Sequence, residues 1–445
     1  MRIAILLNYF PVISETFVLR QITGLLDRGH TVDIYADWPG EDEVSHPEVQ
    51  NYGLLQRTTY MEMPPAAGYW EMPVWPITDH TWIPGSDTRI SNLSRVLRAA
   101  PSLARCLTTA PGLTVQALSP AHYGYQASSL SALYRLAALC RRHVRYDVLH
   151  AHFGPAGNAF RFARQLWSAP LVVSFHGYDF SSWPRQHGPG VYSRLFESAD
   201  AITVNSDYTR GRLEALGCPK DKLHKVPVGL DPSDFPFRER RRADDGHINI
   251  LTVARLEEIK GLEYALRAVA ALHRTYPRVQ YDIIGEGSDR GRLERLIQEL
   301  GLNEVVTLHG AQTGAFVRRM MAQAHIFVLS SVTVHGDQEG QGLVLQEVQA
   351  SGLPVIATRH GALPEGMVPG ESGLLVPERD VDALTDALTD LVQHPERWSE
   401  MGRRGRQYVE RNYNIHALTD RLLEVYKEAV HRYLGASSRR RALRH

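Results

Sequence analysis

The chain has 445 residues, too many for one ordinary domain, and its 43% hydrophobic and 22% charged residues are those of a globular protein with a sizeable core. Lys+Arg and Asp+Glu balance at 49 each, which removes the broad basic field that a nucleic-acid partner would use. Cys106, Cys140 and Cys218 are widely spaced, odd in number and form no CxxC pair, which argues against a disulfide framework or a zinc site and fits a reducing cytoplasm.

Met1 to Val12 opens with Arg2, is broken by Asn8 and precedes no A-x-A-like cleavage site, so it reads as a first buried strand rather than a signal peptide. No run comes near the roughly 18 apolar residues of a transmembrane helix. The apolar run 2–8 predicts that strand, and Phe17, Leu19, Ile22, Leu25 and Leu26 predict a helix over 15–27, ended by Arg28-Gly29-His30. A second strand follows at 31–36. Residues 38–125 break the rhythm. They include MEMPPAAGYWEMPVWP (61–76) and predict an insertion with one or two helices, one over 90–107; its aromatics either line an acceptor site or form a satellite cluster.

Strand and helix alternation resumes with strands at 147–153, 170–177 and 201–206 and helices from about 157 and near 190–198. HKVPVGLDPSDFPF (224–237) gathers Pro, Gly and Asp as an interdomain linker would. A second series has strands at 248–256, 281–287, 305–310, 325–331, 353–361 and 373–377. An amphipathic helix is expected over 413–434, followed by a basic tail at 436–445 with Arg439, Arg440, Arg441 and Arg444. That tail reads as a solvated end, or as a weak touch on anionic lipid. Apolar strands alternating with helices, twice, predict an α/β chain of two doubly wound Rossmann-like domains. In such sheets ligands lie outside the carboxyl ends of the strands.

The segment Glu339 to Thr358, EGQGLVLQEVQASGLPVIAT, holds the densest chemistry. Gly340 and Gly342 allow close backbone approach, and the free N–H groups of a helix starting near Leu343 suit a diphosphate. Glu339 before that helix and Glu347 one turn inside it can accept from pairs of sugar hydroxyls, or they are simply acids favoured by a helix start. ARLEEIKG (254–261) offers Arg255 and Lys260, either phosphate ligands or an exposed basic pair. His152 and His176 each follow a strand, where a structural role is the plainer alternative. Ser14 and Thr16 can cap the following helix or bind phosphate or acceptor there. Asp380-Val381-Asp382 has a metal-binding spacing but opens a helix, where acids are expected anyway.

Glu339-x7-Glu347 with Ala350, Gly352, Pro354 and Val355 resembles the E-x7-E signature of the family 4 retaining glycosyltransferases, and Arg255 and Lys260 resemble that family's R-x4-K segment. VPVGLD (226–231), IIGEG (283–287), ESGLLVPERD (371–380) and RQYVERNYNI (406–415) extend the likeness over nearly the whole chain. FPVISETFVLRQITGLLDRGH, DVLHAHFGPAGNAF and VVSFHGYDFS are similar to the branch found in bacterial exopolysaccharide clusters, colanic-acid-type enzymes among them. The resemblance implies a GT-B fold: residues 1–232 plus 413–435 as an acceptor-side domain and 233–412 as a nucleotide-sugar domain, facing a central cleft, with the last helix returning to the first domain. It implies Arg255, Lys260, Glu339 and His152 in catalysis. Donor contacts would come from Glu347, Gly340, Gln341, Gly342, Leu343, Val344, Gly287, His309 and Gly310. Ser14, Glu15, Thr16, His176, Gly177 and Asp179 would lie on the acceptor side. The first loop lacks the family's usual Gly-Gly, and Gln341 stands where an aromatic or other apolar residue is common, which touches donor identity.

The expectation is thus a retaining, metal-independent enzyme without a cofactor, moving a sugar from a nucleoside-diphosphate sugar to a saccharide, lipid-linked or small-molecule hydroxyl. It would be cytoplasmic or peripheral on the inner membrane face, and a monomer or homodimer. A nucleotide-sugar 2-epimerase or a non-catalytic sugar-nucleotide binder on the same architecture stays open. A nicotinamide-dependent dehydrogenase does not, because residues 8–16 contain no Gly for a dinucleotide fingerprint.

Overall fold

Ile3 to Leu7 form the middle of strand β1 (Arg2–Phe10), and all five are at most 1% exposed. Burial on both faces is what a parallel sheet covered by helices demands of its central strands. A computed structural model describes residues 1–12, 15–40, 46–61, 92–142, 144–242 and 245–442, and the chain divides into two compact units. Unit 1 is Met1–Val204, Arg210–Val226 and Thr419–His445; unit 2 is Asn205–Thr209 with Pro227–Leu418.

Unit 1 contains β1, β2 (Thr31–Pro39), β3 (Thr58–Tyr60), β4 (Val148–His152), β5 (Leu171–Phe175), β6 (Ala201–Val204) and β7 (Leu223–Lys225), ordered β3-β2-β1-β4-β5-β6-β7 and all parallel. Its order reverses between β1 and β4, which pair with Ile3 opposite Val148. The helix Ile415–Ala442 lays Leu422, Val425, Tyr426 and Ala429 into the cluster built on β1, β2 and the helix Thr16–Asp27. Arg28 fixes that approach through a 2.6 Å bond to Asp420.

Unit 2 contains β8 (Ile248–Val253), β9 (Val279–Ile284), β10 (Val306–Leu308), β11 (Ile326–Leu329), β12 (Val355–Thr358) and β13 (Gly373–Val376), again all parallel, ordered β10-β9-β8-β11-β12-β13. Here the reversal lies between β8 and β11. Two apolar clusters cover the sheet, one including Leu266, Val269 and Leu388, the other Leu345, Val348 and Val409. The doubly wound α/β expectation therefore holds in both units.

Three sequence expectations change. The stretch 224–237 does not begin as linker: Leu223–Lys225 is the edge strand β7, too short for its alternation to show. The insertion is richer than one or two helices: it holds Pro47–Asn51, β3, Asn92–Thr109, Pro111–Ala117 and Pro120–Tyr123. Most of its aromatic stretch, residues 62–76, lies outside the described residues. The last helix does not stop near 434 but runs on to Ala442, because Arg and Ala prolong a helix well and neither Gly nor Pro interrupts after Gly435. The three cysteines are free thiols, all buried.

Candidate functional site

In unit 2 the chemistry gathers where the strand order reverses. The loop after β8 carries Arg255 and Lys260, and the loop after β11 carries Glu339. Lys260 donates to the Glu339 carboxylate, and the two side chains are only 16% and 15% exposed. Ser331 Oγ adds a 3.4 Å contact to the same carboxylate oxygen. Burial pushes the Glu339 carboxyl up, but Lys260, with His360 and Arg255 nearby, outweighs it and holds the group below its ordinary value. Removing either member of such a pair strands the other charge out of water, so it marks a site more than it stabilises a fold. Arg255 lies 2.5 Å from Glu257 and is about half exposed.

Two glycine-bearing turns shape the rim. The Arg255 loop lies directly on Gly285 and Gly287, where a Cβ would sit 1.8 Å from the Ala254 carbonyl and 2.2 Å from the Leu256 carbonyl. Any side chain there would push Arg255 out of place. Gly342 has φ 75°, and it is the residue from which the helix Leu343–Ala350 starts. That left-handed turn exposes the first N–H groups of the helix, with Leu343 and Val344 half-buried beside them. Glu347 follows within the same helix, half-buried. His309 follows β10 and bonds to Asp282 at 2.6 Å, and Gly310 next to it has φ 68°.

Gln341 is expected to meet the donor through its backbone, and its side chain has another task. Its side chain is 7% exposed and clamps the Val228 backbone, accepting from N–H at 2.7 Å and donating to C=O at 2.8 Å. The amide ties the glycine-rich loop to Val228, so its side chain is committed inside the protein. Gly340 contributes its carbonyl to Ser206 Oγ at 2.8 Å.

In unit 1, His152 ends β4 and His176 follows β5. Their rings stack 5.4 Å apart at 8°, with His152 Nδ1 3.2 Å from His176 Nε2. Burial drives His152 down to about 3, so the ring is neutral, and its buried Nε2 has no hydrogen-bond partner among the described residues. His150, two residues earlier, bonds Tyr426 OH and Ser174 Oγ, each at 2.7 Å.

The acceptor-side candidates divide. Asp179 is fully buried, and its carboxylate accepts from the N–H groups of Gly177 (2.8 Å), His176 (3.1 Å) and Gly154 (3.2 Å). It organises the loops after β4 and β5 instead of facing a ligand, which corrects its assignment as a lining residue. Burial pushes it up to about 6 against those N–H bonds. The helix Thr16–Asp27 is not capped by a hydroxyl: Glu15 occupies its N-cap with no side-chain bond, and Thr16 is the first helical residue. Burial raises Glu15 to about 8. Ser14 lies outside the described residues. Gly177 is half-buried beside His176. Asp380 caps the helix Val381–Gln393 by accepting from Ala383 N–H at 2.9 Å, the helix-start role open to an acid at this position.

Sequence reasoning passed over three residues around Glu339, two of them reaching its loop from the next strands and one on the loop itself. His360, after β12, accepts the Glu339 N–H at 3.0 Å; Glu378, after β13, bonds His360 Nδ1 at 2.9 Å; Thr333, after β11, donates to Glu378 from its N–H at 2.6 Å. Position just past a carboxyl strand end was the available signal, and RHG and ERD both satisfy it.

A family described as glycosyl transferase 4-like domain matches residues 14–229, and one described as glycosyl transferases group 1 matches residues 234–408. The colanic acid biosynthesis glycosyltransferase WcaL of Salmonella typhimurium is 32% identical over 432 residues, covering 95% of this chain and 98% of the relative. Amylovoran biosynthesis glycosyltransferase AmsK of Erwinia amylovora is 32% identical over 432 residues, covering 96% and 99%. Among solved structures, Anabaena HepE, crystallised with UDP, aligns with a TM-score of 0.68 at 16% identity over 96% of this chain and all of that one. Sucrose-phosphate synthase of Thermosynechococcus elongatus aligns with a TM-score of 0.65 at 20% identity over 96% and 98%. The chain belongs to the family 4-type glycosyltransferases, on a fold of two parallel-sheet, Rossmann-like halves.

Proposed function

We propose that this glycosyltransferase moves a sugar from a nucleoside-diphosphate sugar to a hydroxyl of a growing glycan or lipid-linked saccharide in bacterial exopolysaccharide assembly, with retention and without a metal ion. The observation that carries the reading is the buried Lys260–Glu339 pair at the strand-order reversal of unit 2, beside the Gly342 helix start. A diphosphate arriving there meets Lys260, Arg255 and the first N–H groups of the helix Leu343–Ala350, charge enough to stabilise a departing nucleoside diphosphate. Glu339 would hold donor-sugar hydroxyls and Glu347 the ribose, each as a two-acceptor carboxylate. His309 and Gly310 would meet the base, and Gly287 would keep Arg255 in reach. His152, neutral, would accept or donate a single hydrogen bond through Nε2 to the reacting sugar.

In this scheme the bond from the anomeric carbon to the diphosphate oxygen breaks first, and its electron pair leaves with the phosphate. The acceptor oxygen then bonds to that carbon on the same face, and its proton passes to a diphosphate oxygen. The exopolysaccharide assignment draws on WcaL and AmsK, which span this chain almost end to end.

A thermal-shift panel of UDP-glucose, GDP-mannose and ADP-glucose identifies the donor; a ligand at 100 times its Kd adds about 2.7 kcal/mol. Transfer or hydrolysis of that donor is then followed by nucleoside diphosphate release. Lys260→Ala and Glu339→Ala are each expected to lower kcat by roughly 100-fold or more. EDTA should leave the rate unchanged, and NMR of the product should show the donor's anomeric configuration. Full turnover by either variant sinks the assignment.

A further inference from the structure

We propose that His360, held by Glu378, is a positioning residue that sets Glu339 for the reaction, so that the sugar-holding carboxylate is controlled by a His–carboxylate relay from the two neighbouring strands. The inference rests on the role given to Glu339 above.

The direction of every bond in the relay is determined. A backbone N–H can only donate, so His360 Nε2, 3.0 Å from the Glu339 nitrogen, must present a lone pair. The proton of the neutral ring is then on Nδ1, which donates to Glu378 Oε1 at 2.9 Å. Glu378 is itself fixed by Thr333, whose N–H donates at 2.6 Å and whose Oγ donates at 3.0 Å. Gln338 Nε2 bonds the same Thr333 Oγ at 2.7 Å. The Glu339 carbonyl in turn accepts from Ala362 N–H at 2.9 Å, two residues past His360. Both backbone polar groups of Glu339 are therefore held by the loop after β12, while its side chain reaches Lys260 on the loop after β8. Displacing the backbone would swing the carboxylate away from its partner.

His360 is fully buried, and Glu378 is 18% exposed at its side chain, so the relay exchanges little with water. The charged groups acting on the ring are Glu378 after β13, Glu339 after β11 and Lys260 after β8. Burial lowers His360 below its ordinary value while Glu378 pulls it back up. A proton on Nε2 would point at the Glu339 N–H and break the contact. The carboxylate should then lose its position at a pH set by the His360–Glu378 pair.

The donor chosen by the thermal-shift panel is used at saturating and limiting concentrations across pH 4.5–8.5 with the full chain. His360→Leu, which removes the acceptor, is expected to lower kcat about 100-fold, as a misplacement of about 1 Å does, with donor KM changed only a few-fold. His360→Gln offers an amide oxygen to the same N–H and should recover most of the loss. Glu378→Gln keeps an acceptor for Nδ1–H but removes the charge, so the acidic limb of kcat should move to lower pH; a role limited to packing would not move it.

Equal loss in His360→Leu and His360→Gln overturns the proposal, as does an unmoved acidic limb in Glu378→Gln, which decides alone if His360→Leu is insoluble. Glu339→Gln run alongside separates the two claims. If it abolishes turnover while His360→Leu turns over normally, only the relay falls. If it turns over normally, the role of Glu339 falls and takes the relay with it.

Discussion

At His152 a ring that would take a proton in mildly acidic water is kept neutral by burial, and burial lowers His150 and His360 as well. Each has a folded pKa below its unfolded value of about 6.5. The unfolded chain therefore binds the proton first, and stability is lost as pH falls from about 6.5 towards 3. Asp179, pushed up to about 6, and Glu15, pushed up to about 8, work the other way, because the folded state binds their protons first as the pH falls. Rings and carboxyls therefore oppose each other below pH 7, and a single ring is read by substitution. His152→Gln is expected to lose less Tm between pH 7 and pH 5 than the unsubstituted chain, because it removes a ring that the unfolded chain protonates first. Calorimetry across that range checks it, and an identical pH dependence in the two proteins contradicts the buried neutral His152. Gln341 makes a second test. Gln341→Leu would leave the Val228 N–H and C=O buried without partners, each worth about 1–3 kcal/mol. Urea unfolding should show a loss of about 2 kcal/mol or more.

Packing between elements turns on small residues. The helix Trp398–Asn412 lies so close to the end of the helix Leu343–Ala350 that a Cβ on Gly402 would come 2.3 Å from the Gly352 carbonyl. Backbone cannot yield as a side-chain tip can, so Gly402→Ala should destabilise the protein by about 1–3 kcal/mol, read from the denaturation midpoint. The same scale explains what could be read from residues alone. Strands such as Ile248–Val253 and Val355–Thr358 were legible because a doubly covered parallel strand is a continuous apolar run. Thr58–Tyr60 and Leu223–Lys225 escaped because three residues carry no period. Glu339 and Glu347 were visible because nine consecutive residues of one loop and helix hold both. His360 and Glu378 meet that loop from 21 and 39 positions away (360 − 339 and 378 − 339), through a sheet register that no local pattern encodes. The side-chain clamp of Gln341 was hidden for a related reason: its partner, Val228, is 113 residues distant.

Across the whole molecule, the last long helix belongs to both halves, running in unit 2 up to Leu418 and in unit 1 from Thr419. Leu422, Val425, Tyr426 and Ala429 are at most 4% exposed in the unit 1 core, and Tyr426 closes the hydrogen bond to His150. Burying each large apolar side chain contributes about 1.5–3 kcal/mol, so removing them all takes away much of the roughly 5–15 kcal/mol that holds a domain. A chain ending at Leu418 is expected to lose the cooperative unfolding of unit 1 and to aggregate, while full-length protein melts cooperatively; light scattering and circular dichroism distinguish the two. The order of synthesis gives this arrangement a further meaning. A ribosome delivers β1 first and Tyr426 more than 400 residues later, so the half that is made first is finished last. Unit 2 has its strands and helices by Leu418 and can close while the earlier sheet still shows an open apolar face. During translation the apolar face of the N-terminal half therefore stays uncovered until the helix that carries Leu422, Val425 and Tyr426 has emerged.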